Sequence, residues 1–158
     1  MRPAVAPKLR LLGLPVLLSL LGCAPAAYDL DKPIAIETGN SVARAALTAG
    51  LVEMGGIVST GQAGQRVQVV SECRCPGAAV PNSIVAACTL GGVIYLCSAG
   101  LACPRCLKHE LGHVFGAGHS ADPADLMYPI SKPGIESFSA ADKKAICASG
   151  VVVGGVCD

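Results

Sequence analysis

All three histidines of this 158-residue chain, His109, His113 and His119, fall in one short window. In His109-Glu110-Leu111-Gly112-His113 two imidazoles stand four residues apart, just over one helical turn, so they leave the same helix face. Two imidazoles placed that way suit a single Zn2+. Glu110 sits beside the first of them and can reach a water on the metal without ligating it. A catalytic zinc takes three protein ligands and keeps one position open, and His119 offers the third. No helix brings residue 119 onto the face of 109 and 113. The chain has to break and turn back between them, and Gly116 is the residue that can do so, at positive φ. A helix, a break and a return are therefore built into these few residues.

The rest of the chain has little with which to hold such a window in place. Apolar residues make up 52% and charged residues 15%, which excludes a disordered polymer. Aromatic area is scarce: there is no Trp, and the rings are Phe115, Phe138, Tyr28, Tyr95 and Tyr128. A small core of Ala, Val, Leu and Gly buries little area per residue and calls for a further constraint. Nine cysteines can supply it. A formal charge of +1 gives no basic surface for nucleic acid, and none is expected as a partner.

Arg2, Lys8 and Arg10 precede an apolar run over residues 11–21. A charged start followed by a run too short to span a bilayer reads as a signal peptide over residues 1–22. The run ends in Leu20-Leu21-Gly22-Cys23, which resembles the bacterial lipobox and implies lipidation at Cys23. The other reading is secretion after cleavage at Ala24-Pro25-Ala26. With Ala24 behind the cysteine, the lipobox resemblance implies an outer-membrane lipoprotein of the cell envelope, anchored through residues 23–33. Removal of residues 1–22 leaves nine basic and eleven acidic side chains, a charge of −2. Eight cysteines then remain: Cys73, Cys75, Cys88, Cys97, Cys103, Cys106, Cys147 and Cys157. In an oxidising compartment they read as up to four disulfides, whose pairing stays open.

Beyond the tether, the domain reads as residues 34–158. A strand is expected at 34–36, and a helix from about 42 to 54, capped by Asn40 or Ser41 and stopped by Gly55-Gly56. Strands follow near Val58 and over 66–70. Residues 84–103 carry no charge, yet Gly91-Gly92 divides them, so two short strands, 84–87 and 93–96, around a turn fit better than a membrane span. Pro104 can open a helix running to about Phe115. Ser139-Ala140-Ala141-Asp142 is a capping-box start for a last helix through Ala148. The fold class expected is mixed α+β. Cys103-Pro104-Arg105-Cys106 lacks the βαβ surroundings of a redox pair, and a cysteine-zinc site with Cys73 and Cys75 has awkward spacing. Structural disulfides remain the better account. Lys108, Lys143 and Lys144 read as solvated charge.

His109-Glu-Leu-Gly-His-Val-Phe-Gly-Ala-Gly-His119 resembles the extended zinc motif of the metzincin metallopeptidases. Ser120 and the segment Ala124-Asp-Leu-Met-Tyr-Pro129 look like the matrixin branch, that of the matrix metalloproteinases. The resemblance is close over residues 109–129 and weak to about 146. It implies a compact zincin domain with a small, mostly parallel twisted sheet, a zinc-binding helix, a Met-turn at Met127 and a C-terminal helix. It implies one catalytic zinc on His109, His113 and His119, with Glu110 as general base for a zinc-dependent endopeptidase of extended peptides. It also implies that the strand at 93–96 forms the edge of the cleft, and that Pro129-Ile130-Ser131 walls the pocket for the residue after the cut. Departures are plain as well. No histidine is left for the family's structural zinc, the calcium-binding aspartates are missing, and disulfides stand as the substitute. The residues between Cys23 and Ile34 leave no room for the family's propeptide. A monomer is expected, and the alternative function is a non-catalytic envelope lipoprotein that binds zinc or a partner.

Overall fold

The computed structural model describes residues 28–75, 85–97 and 103–158. The expected signal peptide, the lipidation site Cys23 and the cleavage site at 24–26 lie outside the described residues. So does the loop at Pro76 and Pro81-Asn82. Among the described residues, no helix is long and apolar enough to cross a membrane.

The chain runs β1 (Tyr28–Asp29), β2 (Ile34–Glu37), α1 (Ser41–Glu53), β3 (Val58–Ser59), β4 (Gln65–Val70), β5 (Ala87–Leu90), β6 (Val93–Leu96), α2 (Pro104–Val114), α3 (Ala140–Ala148) and β7 (Val152–Val153). A 3-10 turn at Gly155–Cys157 follows. The main sheet has the order β3-β2-β4-β6-β5. Its pairs are parallel except β5 with β6. This is the mixed α+β architecture with a mostly parallel sheet that the sequence implies.

Local chemistry sets most of the boundaries. The Asn40 side chain accepts from the Ala43 N–H at 2.9 Å and starts α1, and Gly55 at φ +78° ends it. Ala43, Ala46, Leu47, Gly50 and Leu51 form the buried face of α1. A Cβ at Gly50 would come within 2.9 Å of the Leu111 side chain, so a glycine lets α1 and α2 approach there. Ser139 and Asp142 close a reciprocal capping box at the start of α3. The core is aliphatic, with Leu30, Ile34, Leu47, Leu51, Ile94, Leu107, Leu111 and Ile146 fully buried around Phe115.

Four disulfides use all eight cysteines: Cys73–Cys97, Cys75–Cys88, Cys103–Cys106 and Cys147–Cys157. Two of them gather where β4, β5 and β6 end or cross. The last closes the chain behind α3.

Four expectations need correction. Residues 28–33 are not all tether: Tyr28–Asp29 pairs in parallel with Val152–Val153, and Leu30 is fully buried. That pairing is long-range and leaves no local pattern. The first strand of the hairpin is 87–90 and not 84–87. With Gly91 at φ +58° and Gly92 at φ +80°, a two-residue turn pairs Leu90 directly with Val93. The strand at 93–96 is interior, flanked by β4 and β5, so the sheet edge is β5. Finally, Lys108 is not solvated. Its side chain is 14% exposed, pairs with Glu53 at 3.2 Å and donates to the Glu136 carbonyl at 2.7 Å. The three-way tie locks α2 to α1 and to the loop before α3.

Candidate metal centre

α2 carries His109 and His113 one turn apart and ends at Gly116. There Gly116 N–H bonds the His113 carbonyl at 3.0 Å and Ala117 N–H bonds the Gly112 carbonyl at 2.9 Å. The two bonds form a Schellman stop, with Gly116 at φ +85°. A Cβ at Gly116 would also meet Ser149 and Val151 at 2.8 Å, so two separate reasons require glycine. The chain then doubles back and brings His119 over the helix. The Nε2 of His113 lies 3.0 Å from that of His109 and 3.2 Å from that of His119.

The outer nitrogens of the two helical rings fix where their Nε2 atoms point. His109 Nδ1 lies 2.8 Å from the Leu126 carbonyl, and His113 Nδ1 lies 2.8 Å from the Ala117 carbonyl. A carbonyl only accepts, so each Nδ1 carries the proton and each Nε2 presents a lone pair. Burial reinforces this, holding His109 down at about 4 and both His113 and His119 below the ordinary imidazole value. A tetrahedral zinc with bonds near 2.05 Å spaces its ligand atoms about 3.3 Å apart, and the two spacings here are 3.0 and 3.2 Å. The donor set fits the metal. The other sulfur-rich group, Cys73, Cys75 and Cys97, is taken up in disulfides.

The floor of the site is Met127, 1% exposed. A Cβ at Gly112 would overlap its sulfur and press on Phe138, so Gly112 is the gap in α2 that admits the methionine. The turn is held from below by Asp142, which accepts from Leu126 N–H at 2.9 Å and Met127 N–H at 3.3 Å. The same carboxylate accepts from Ser139 N–H at 2.9 Å in the capping box. Ser120 donates to Asp125 at 2.6 Å and holds the Asp125 carboxyl below its usual range. Ser120 N–H also bonds the Met127 carbonyl at 2.9 Å, which pins the return from His119 to the floor.

Residues 28–148 match a family model described as Matrixin. The chain belongs to the matrixin family. A comparison with curated proteins finds no match. Membership makes this matrixin a metallopeptidase at the family level and implies a catalytic zinc, for which His109, His113 and His119 are the available group.

Glu110 is 7% exposed on α2 and faces β5. The Thr89 hydroxyl donates to its Oε2 at 2.9 Å. Burial pushes the Glu110 carboxyl up to about 7. Two contributors to this matrixin's site escaped the sequence reading. Thr89 gave no signal, since a lone threonine in a strand is ordinary. Asp142 did give one, as the third residue after a capping serine, but its second task of holding the Met-turn is tertiary. On the expected pocket wall, Arg105 donates from Nε to the Ser131 hydroxyl, and Ile130 is exposed. Tyr128 lies beneath the Lys132 ammonium, 5.1 Å from its ring centre.

Proposed function

We propose that this matrixin is a zinc-dependent endopeptidase in which Glu110 is the general base and His109, His113 and His119 hold the metal. The observation that carries the reading is the convergence of three histidine Nε2 atoms beside a buried glutamate that does not belong to the ligand set. Zinc, when bound, supplies a Lewis acid that polarises the scissile carbonyl and lowers the pKa of water from 15.7 to about 7. Glu110 takes the proton from the attacking water and delivers it to the leaving amine. In the metal-free chain burial pushes this carboxyl up to about 7, so it takes a proton more readily than a solvated glutamate. The Nδ1 bonds to Leu126 and Ala117 keep the two helical imidazoles from rotating away. Met127 closes the floor without offering a charge.

The substrate proposed is an extended peptide or unfolded protein segment, taken by a monomer. Export to the bacterial envelope is proposed as well, with Cys23 lipidated and an outer-membrane site. The basic start, the apolar run and Leu20-Leu21-Gly22-Cys23 support it. Intact mass of the native N-terminus distinguishes acylation from simple secretion.

The test of function is cleavage of an unstructured protein by the oxidised, zinc-loaded chain beside Glu110→Ala. Both are expected to hold one zinc, and only the unmutated chain is expected to cleave. Zinc in both without cleavage by either favours a binding protein. Equal cleavage by both sinks the mechanism.

A further inference from the structure

The geometry points to Thr89 as the residue that positions Glu110, an assignment resting on the reading of Glu110 as proton carrier. Its Oγ1 lies 2.9 Å from Glu110 Oε2 and 3.0 Å from the Glu110 backbone carbonyl. Among the described residues no other side chain hydrogen-bonds this carboxylate. A glutamate has three side-chain torsions, and its terminal one is broad and roughly two-fold. Without a partner the carboxylate divides its time among orientations, and only some of them point an oxygen at the reacting centre. A hydroxyl on Oε2 selects one and leaves Oε1 free to exchange a proton. The carbonyl within reach gives the hydroxyl a second acceptor whenever the carboxylate turns toward substrate.

Thr89 is itself well fixed, which a positioning group must be. It pairs with Ile94 across the β5–β6 hairpin, whose register is set by the two-residue turn at Gly91-Gly92. Its neighbour Cys88 is bonded to Cys75, which staples β5 to the segment after β4. Its partner sits in the buried face of α2, where Glu110 is flanked by Leu107 and Leu111. The hydroxyl and the carboxylate are thus delivered from two elements that cannot easily separate. Thr89 is not one of the metal-holding residues and acts through Glu110.

Thr89→Val keeps the β-branched shape and removes only the hydroxyl, and Thr89→Ser restores the hydroxyl without the methyl. In the zinc-loaded, oxidised protein, Thr89→Val is expected to lower kcat by about tenfold or more, in line with loss of a hydrogen bond to a charged group. KM, zinc content and unfolding midpoint are expected to stay as in the parent, and Thr89→Ser to regain most of kcat. Full kcat in Thr89→Val overturns the assignment. So does an equal loss in Thr89→Ser, or a loss that tracks zinc content or stability. Glu110→Ala run alongside separates the two claims: if it cleaves like the parent, the reading of Glu110 fails and not only that of Thr89.

Discussion

Asp142 accepts from three backbone N–H groups while 2% exposed, so the start of α3 and the floor beneath the histidines share one carboxylate. The Leu126 carbonyl, next to one of those amides, orients His109. Backbone amides, and not other charges, make the burial of this acid tolerable. Burial acts on the histidines in the opposite sense, and that can be measured. In the metal-free chain, unfolded histidines take up protons near pH 6.5, whereas folded His109 resists down to about 4 and His113 and His119 are shifted the same way. Their share of stability is therefore lost as pH falls through this window. Glu110 runs the other way. Its ordinary value is 4.5 and its folded value about 7, so its share is present at low pH and lost as pH rises through 7. Three groups oppose one below neutrality. Urea midpoints of the metal-free protein are expected to peak near neutral pH and to fall toward pH 4. A midpoint that rises on acidification contradicts the burial of these rings.

Between helix and return loop, the stop at Gly116 is the element on which the meeting of the three histidines depends. Gly116→Ala places a side chain in the left-handed region, costing about 1–2 kcal/mol, and drives it into Ser149 and Val151. A loss of at least that size in chemical unfolding is expected, with weaker zinc binding in a competition titration because His119 moves with the loop. Parent-like values for both would show that the stop bends freely. This glycine, the helix ahead of it and the meeting of the three histidines were legible in the sequence, because spacing along one helix and a single break are local. The capping box at Ser139 and the stop of α1 were legible for the same reason. Strand order was not. Residues 93–96 and 87–90 are both short and apolar, and only the parallel partner β4 makes one interior and the other an edge. Lys108 looked like any exposed lysine because Glu53, its partner, lies 55 residues away. The pairing of Tyr28 with Val152 joins the ends of the domain and leaves no trace in either segment.

At the scale of the molecule, a core poor in aromatics is supplemented by four covalent links of unequal span. Cys73–Cys97 encloses a separation of 24 residues, and Cys103–Cys106 only 3. On loop entropy alone the first is worth about 3.5 kcal/mol and the second about 2. Pairwise serine replacement is expected to lower the unfolding free energy more for Cys73 with Cys97 than for Cys103 with Cys106. The reverse order would mean that the short bridge stabilises through the entry to α2 and not through the unfolded chain. A further covalent loop, Cys147–Cys157, encloses β7, whose partner is the first strand described. Because β1 and β7 run parallel, tension drawn along β1 from the residues ahead of Tyr28 meets their hydrogen bonds in shear and not one at a time. A pull on the residues ahead of β1 would then be carried across to a cross-linked C-terminal loop, and α2 would be spared the strain.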